Sequence, residues 1–121
     1  MAGPARAGVL VHARDIEHLA GFYERVAGMR RVHADAERIV LASDDADLVI
    51  HAPPAPMPLD AAPRLLAAFK PFFTVEDLDA AVIDIEARGG AGLPGRWSGP
   101  GFTVCNACDP EGNIIQLRAF E

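Results

Sequence analysis

The stretch Val9-Leu-Val-His-Ala-Arg-Asp15-Ile-Glu-His-Leu-Ala-Gly-Phe-Tyr23, followed by Gly28, has a counterpart later in the chain. Pro71-Phe-Phe-Thr-Val-Glu-Asp77-Leu-Asp-Ala-Ala-Val82, followed by Gly89 and Gly90, repeats its plan: a short apolar run, an aspartate, then an apolar-striped segment closed by glycine. Asp15 and Asp77 suit the N-cap position, where a carboxylate accepts the free N–H groups of a first helical turn. Ile16, Leu19, Ala20, Tyr23 and Val26, and again Leu78, Ala81, Val82 and Ile85, keep the three-and-four spacing of one buried stripe. Helices are therefore expected from Ile16 and Leu78, each ending about three turns later where Gly28 and Gly89 supply a left-handed cap. A fold made of two copies of one unit commonly places its site between them.

Outside the repeated stretch the pattern turns to strands. Arg30 to Ala34, Arg38 to Ala42 and Asp47 to His51 are β-prone runs, the last two joined by Ser43-Asp-Asp-Ala46. In the second half Trp97 and Phe102 to Ala107 precede Asp109-Pro-Glu-Gly112, a turn with proline second and glycine fourth, and Asn113 to Ala119 closes the chain. Each half thus reads strand, helix, strand, strand, strand, an α+β plan. Residues 53–68 hold five of the ten prolines and read as an exposed connector, with Ala61 to Phe69 as a short helical stretch. Module one is then 6–52 and module two 69–121, within one domain.

Composition limits the partners. With 121 residues, half of them hydrophobic, the chain is long enough to bury roughly two-thirds of its unfolded surface in one compact core. A formal net charge of −6 without any Lys/Arg cluster argues against nucleic acid and anionic membranes, and favours cationic ligands in a general way. No apolar run approaches the ~20 residues of a membrane span, and the first residues lack a secretory apolar core, so a cytoplasmic location is expected. Cys105 and Cys108 form a C-x-x-C spacing. Their context is a strand running into a turn, which offers neither a helix N-terminus for a thiolate nor two further zinc ligands, so they are read as ordinary reduced cysteines.

The duplicated βαβββ plan, the run from Asp15, the Val-Glu-Asp-Leu-Asp-Ala-Ala run from Val75 and the Asp-Pro-Glu-Gly-Asn run from Asp109 together resemble the glyoxalase, bleomycin resistance and dioxygenase family, the vicinal oxygen chelate superfamily. That resemblance implies two tandem modules forming a cup-shaped mixed sheet with helices on its outer face. It also implies a range of chemistries, from metal-dependent isomerases, lyases and dioxygenases to metal-free drug-binding proteins. Metal-dependent members carry four ligands, one on the opening and one on the closing strand of each module. Carried onto this chain, those positions are Gly8, Val49, Lys70 and Gln116. Glycine and valine offer no side-chain donor, lysine is a cation at neutral pH, and glutamine is a weak ligand, so no metal and no cofactor is expected.

Strand alternation names what lines the cup instead. Gly8, Leu10, His12, Asp47, Val49 and His51 should face it from the first module, and Lys70, Phe72, Thr74, Ile114, Gln116 and Arg118 from the second. The opposite parity, Val9, Val11, Leu48, Ile50, Phe73, Val75, Ile115 and Leu117, is apolar as core should be. Trp97, the only tryptophan, stands where it either stacks on a planar ligand or packs in the core. His12 and His51 have two readings, acid/base or hydrogen-bonding partners of a ligand, or strand residues satisfied by their neighbours. His18 and His33 read as surface residues. The expectation is a metal-free binder of a small organic molecule, acting as a homodimer. The alternatives are metal-dependent chemistry of the same superfamily and a metal-free enzyme using His12 or His51.

Overall fold

A computed structural model describes residues 7–54 and 69–121. The chain divides into two compact units, Met1–Leu59 and Asp60–Glu121. The connector reading, including the helical stretch from Ala61, falls almost wholly outside the described residues.

The first unit runs β1 (Gly8–His12), α1 (Ile16–Val26), β2 (Arg30–Ala34), β3 (Arg38–Ala42) and β4 (Asp47–His51), its strands forming one sheet in the order β1-β4-β3-β2. The Asp15 carboxylate accepts the His18 N–H at 3.0 Å and starts α1, as the N-cap reading requires. Gly28, at φ 64°, ends it in the left-handed region. Leu19, Phe22, Ile39, Leu41 and Ile50 are essentially fully buried between helix and sheet. Each such side chain contributes about 1.5–3 kcal/mol of burial. Arg31 fastens β2 to the helix, donating to both Glu17 carboxylate oxygens at 2.8 and 3.0 Å and to Glu24 at 2.7 Å. These bonds, that to Glu24 foremost, raise its guanidinium pKa further.

One core expectation fails here. Val9 has the parity of the helix-facing core but is 47% exposed, and Val11 is only half-buried. The helix packs chiefly over β3 and β4, with lesser contact to β2, and edge strand β1 is the one it covers least.

The second unit runs β5 (Phe72–Thr74), α2 (Leu78–Ala87), β6 (Ala91–Gly92), β7 (Trp97–Gly99), β8 (Phe102–Cys108) and β9 (Ile114–Phe120), with sheet order β5-β9-β8-β6 and β7 also on β8. Asp77 caps α2 through the Ala80 N–H at 2.8 Å, and Gly89 closes it at φ 91°. In both units the opening strand lies parallel to the closing one, β1 to β4 and β5 to β9. The two-residue β6 is absent from the sequence reading. It pairs with the far end of β8 while β7 pairs with the near end, so together they are one strand of the repeat, interrupted at Leu93 to Arg96. Pro94 has no N–H for a ladder, and Gly95 adopts φ 103°.

The Asp109 turn is built from its carboxylate outward. Oδ1 accepts the N–H groups of Glu111 and Asn113, both at 2.9 Å, and Oδ2 accepts Asn113 Nδ2 at 2.9 Å. The Gly112 N–H closes the turn on the Asp109 carbonyl at 3.0 Å, with Gly112 at φ 86°. Asp109 is only 3% exposed, so this polar cluster is part of the interior.

Candidate functional site

Directly paired residues share a face of a sheet, so the register tests the parity argument in each unit. In the first, Gly8 pairs with Asp47, Leu10 with Val49 and His12 with His51, all on the face away from α1. Arg38, opposite His51, and Val40, opposite Val49, extend that face across β3. Leu10 is 54% exposed, while His12 and His51 are half-buried. Their rings meet edge to face, centroids 5.9 Å apart. The His51 Nδ1–H donates to the Ala52 carbonyl at 2.6 Å, which leaves Nε2 as the acceptor of that ring. His18 and His33 lie at the surface, and His33 pairs with Asp35 at 2.7 Å.

In the second unit, Phe72 pairs with Gln116 and Thr74 with Arg118. Gln116 pairs in turn with Asn106, Arg118 with Val104, and Val104 with Trp97. One row across four strands therefore holds Trp97, Val104, Arg118 and Thr74, and the row beside it Asn106, Gln116 and Phe72. The Arg118 guanidinium carbon lies 3.8 Å from the Phe72 ring centroid and 5.1 Å from that of Phe102. Its Nε donates to Gln116 Oε1 at 3.1 Å, and Lys70 Nζ donates to Asn106 Oδ1 at 3.4 Å. A guanidinium stacked on aromatic rings and pinned at Nε has little freedom left to lose when its remaining N–H groups bind something. Ile114 shares the parity but is buried at the end of β9 beside Cys108.

Phe102 and Asn106 belong to this arrangement and were missed in the sequence. The signal was present, since the alternation applied to the opening and closing strands places Phe102, Val104 and Asn106 on the same face of β8. Close packing holds Phe102 there: any Cβ at Gly99 would collide with its ring. Trp97 is 51% exposed and its ring folds back over Gly95, which settles it on the open face rather than in the core.

Cys105 and Cys108 are both buried and free. Three residues apart on β8, they point to opposite faces, which separates their sulfurs. Burial pushes both thiols above their ordinary pKa, away from the thiolate that redox or metal chemistry needs. A shallow hollow of about 440 Å³ beside Cys105 lies on the α2 side, lined by Val82, Glu86 and the Gly92 to Arg96 segment. Arg96 there is already paired with Asp79.

The four positions that would hold a metal do not fit one. Gly8 and Val49 carry no donor atom, Lys70 is bonded to Asn106, and Gln116 is engaged by Arg118. Among the described residues no three His, Cys, Asp or Glu side chains gather. No helix among them is long and apolar enough to cross a membrane.

The family model of the Glyoxalase/Bleomycin resistance protein/Dioxygenase superfamily matches residues 7–117. The chain belongs to this superfamily. Solved structures of the glyoxalase fold agree with the architecture described above. A glyoxalase/bleomycin resistance protein/dioxygenase family enzyme from Burkholderia phytofirmans superposes with a TM-score of 0.75 at 16% identity, covering 97% of this chain and 99% of that one. A glyoxalase/bleomycin resistance protein from Albidiferax ferrireducens gives 0.69 at 22% identity, covering 93% and 97%. The bleomycin resistance determinant encoded on transposon TN5 gives 0.58 at 26% identity, covering 96% and 98%. No curated protein matches the chain at a significant level.

Proposed function

We propose that this member of the glyoxalase superfamily is a metal-independent binding protein for a small organic molecule. The observation that carries the reading is a substitution of chemistry at the family's ligand positions. Lys70 and Gln116 stand where the second unit's metal donors would, and beside them that unit presents Phe72, Trp97 and a stacked Arg118 on one open sheet face, groups that hold a planar ligand by stacking and hydrogen bonds. The proposed ligand-binding set is Leu10, His12, Val49 and His51 from the first unit, with Lys70, Phe72, Thr74, Trp97, Ile114, Gln116 and Arg118 from the second. A homodimer belongs to the same proposal, because edge strand β1 leaves Val9 and Leu10 exposed to a partner. Sedimentation at micromolar concentration tests that part.

The binding reading is tested by titrating chelator-treated protein with planar aromatic compounds and following Trp97 fluorescence, which reports alone in this chain. Saturable quenching that survives chelation is the expected result, and quenching that needs added metal would contradict it. A second reading, acid/base catalysis without metal, rests on the His12/His51 pair and the tautomer that Ala52 imposes on His51. Turnover of a bound compound that is lost in His51→Asn would favour it.

A further inference from the structure

The charge on the open face of the second sheet runs against the charge of the molecule. The chain carries 17 acidic and 11 basic residues, yet no strand position on this face is Asp or Glu, whereas Arg118 is cationic and Lys70, two residues ahead of β5, reaches Asn106 on the same face. Glu121, just past β9, bonds to Thr103, whose parity is the opposite one. Neither Lys70 nor Arg118 has a carboxylate partner among the described residues; each is held by a neutral amide, Asn106 and Gln116. Amides position a cation without neutralising it. Elsewhere in the chain Arg31 is paired with Glu17 and Glu24, and Arg96 with Asp79. We infer that the ligand of this face is a planar aromatic carboxylate, its ring packed beside Phe72 and its carboxylate taken by the Arg118 Nη groups with Lys70 beside them. The inference rests on the binding reading above and adds the sign of the ligand's charge. Nε is committed to Gln116, so the two Nη groups remain as the parallel donors that match a carboxylate's two oxygens. Stacking on Phe72 holds the fork in place before the ligand arrives, which lowers the ordering cost of binding.

Three isosteric probes test it by calorimetry on the intact protein: naphthoate, neutral naphthamide and cationic naphthylmethylammonium. Naphthoate should bind at least about tenfold more tightly than naphthamide, the scale of one charge-assisted bidentate contact. Arg118→Gln should bring that ratio close to one, with an unchanged circular dichroism spectrum and cooperative thermal melt showing that the variant is folded. If Arg118→Gln does not fold, Lys70→Gln decides, because exposed Lys70 can be neutralised without touching the core; the ratio should then fall by about threefold. Naphthamide or naphthylmethylammonium binding as well as naphthoate would overturn the carboxylate assignment and leave the binding reading standing. Failure of all three to bind would overturn both.

Discussion

On the face away from α1, the first unit sets His12 beside His51, with Arg38 and Asp47 on the same face, a mixed set of charges and titratable rings. On the corresponding face of the second unit stand Phe72, Trp97 and Arg118, without a carboxylate. Beneath these faces the units repeat each other closely, in the Asp15 and Asp77 caps, the left-handed Gly28 and Gly89, and the parallel pairing of first and last strands. The repeated features hold the fold, while the two open faces differ in the chemistry they present. Substitutions should obey the same division.

The sharpest contrast is between the two closing hairpins. Asp109 is buried and its carboxylate accepts several N–H groups, whereas Ser43, which ties the β3–β4 turn to Ala46, is exposed. Asp109→Ala should therefore cost about 2–4 kcal/mol in denaturant unfolding, because buried donors lose their acceptor, and Ser43→Ala about 0.5 kcal/mol or less. Equal costs would break the distinction. Gly112→Val, which forces a β-branched residue to φ 86°, should cost about 1–3 kcal/mol by the same measurement.

On the faces themselves the order reverses, with small effects on stability and larger ones on binding. Phe72→Ala should weaken a planar aromatic ligand by about 1 kcal/mol or more through lost stacking. His12→Ala should lower affinity while changing unfolding free energy by about 1 kcal/mol or less, since its ring lies outside the helix-facing core.

The smallest effect is electrostatic and confined to the first unit. The His33 hydrogen bond, helped by the Glu37 and Arg38 N–H groups, lowers the Asp35 carboxyl from 3.8 to about 2. A carboxyl lowered in the folded state adds stability above its unfolded pKa and loses it as pH falls through the folded one. Asp35→Asn should accordingly lower stability slightly at neutral pH and flatten the slight loss of stability between pH 3.8 and about 2, so that variant and parent converge at the acid end.

The fold was legible because its determinants are local: an aspartate three residues ahead of a free N–H, a glycine where a helix must end, alternation along a strand. Val9 misled because helix coverage depends on where α1 comes to rest, and alternation along β1 says nothing of its place at a sheet edge. The β6 segment, two residues long before Pro94, is too short to leave a period. Within the candidate site, residue types and faces followed from alternation, including Trp97 once its pairing with Val104 is known. The stack of Arg118 on Phe72 did not, because it joins residues far apart in sequence through side-chain conformation. Net charge says little about any one face. A total of −6 describes the whole surface, while the field at one face is set by the few charges within about a Debye length of it.

Metal independence is the property on which the proposed function turns. The direct measurement is the melting temperature of chelator-treated protein with zinc, nickel, manganese or iron added in turn, since a metal that binds only the native state raises it by mass action. No rise is predicted for any of the four, because Gly8, Val49, Lys70 and Gln116 provide no adequate donor set. A large rise with one metal, abolished by His12→Ala or His51→Ala, would contradict the account and return this chain to the metal-dependent branch of its superfamily.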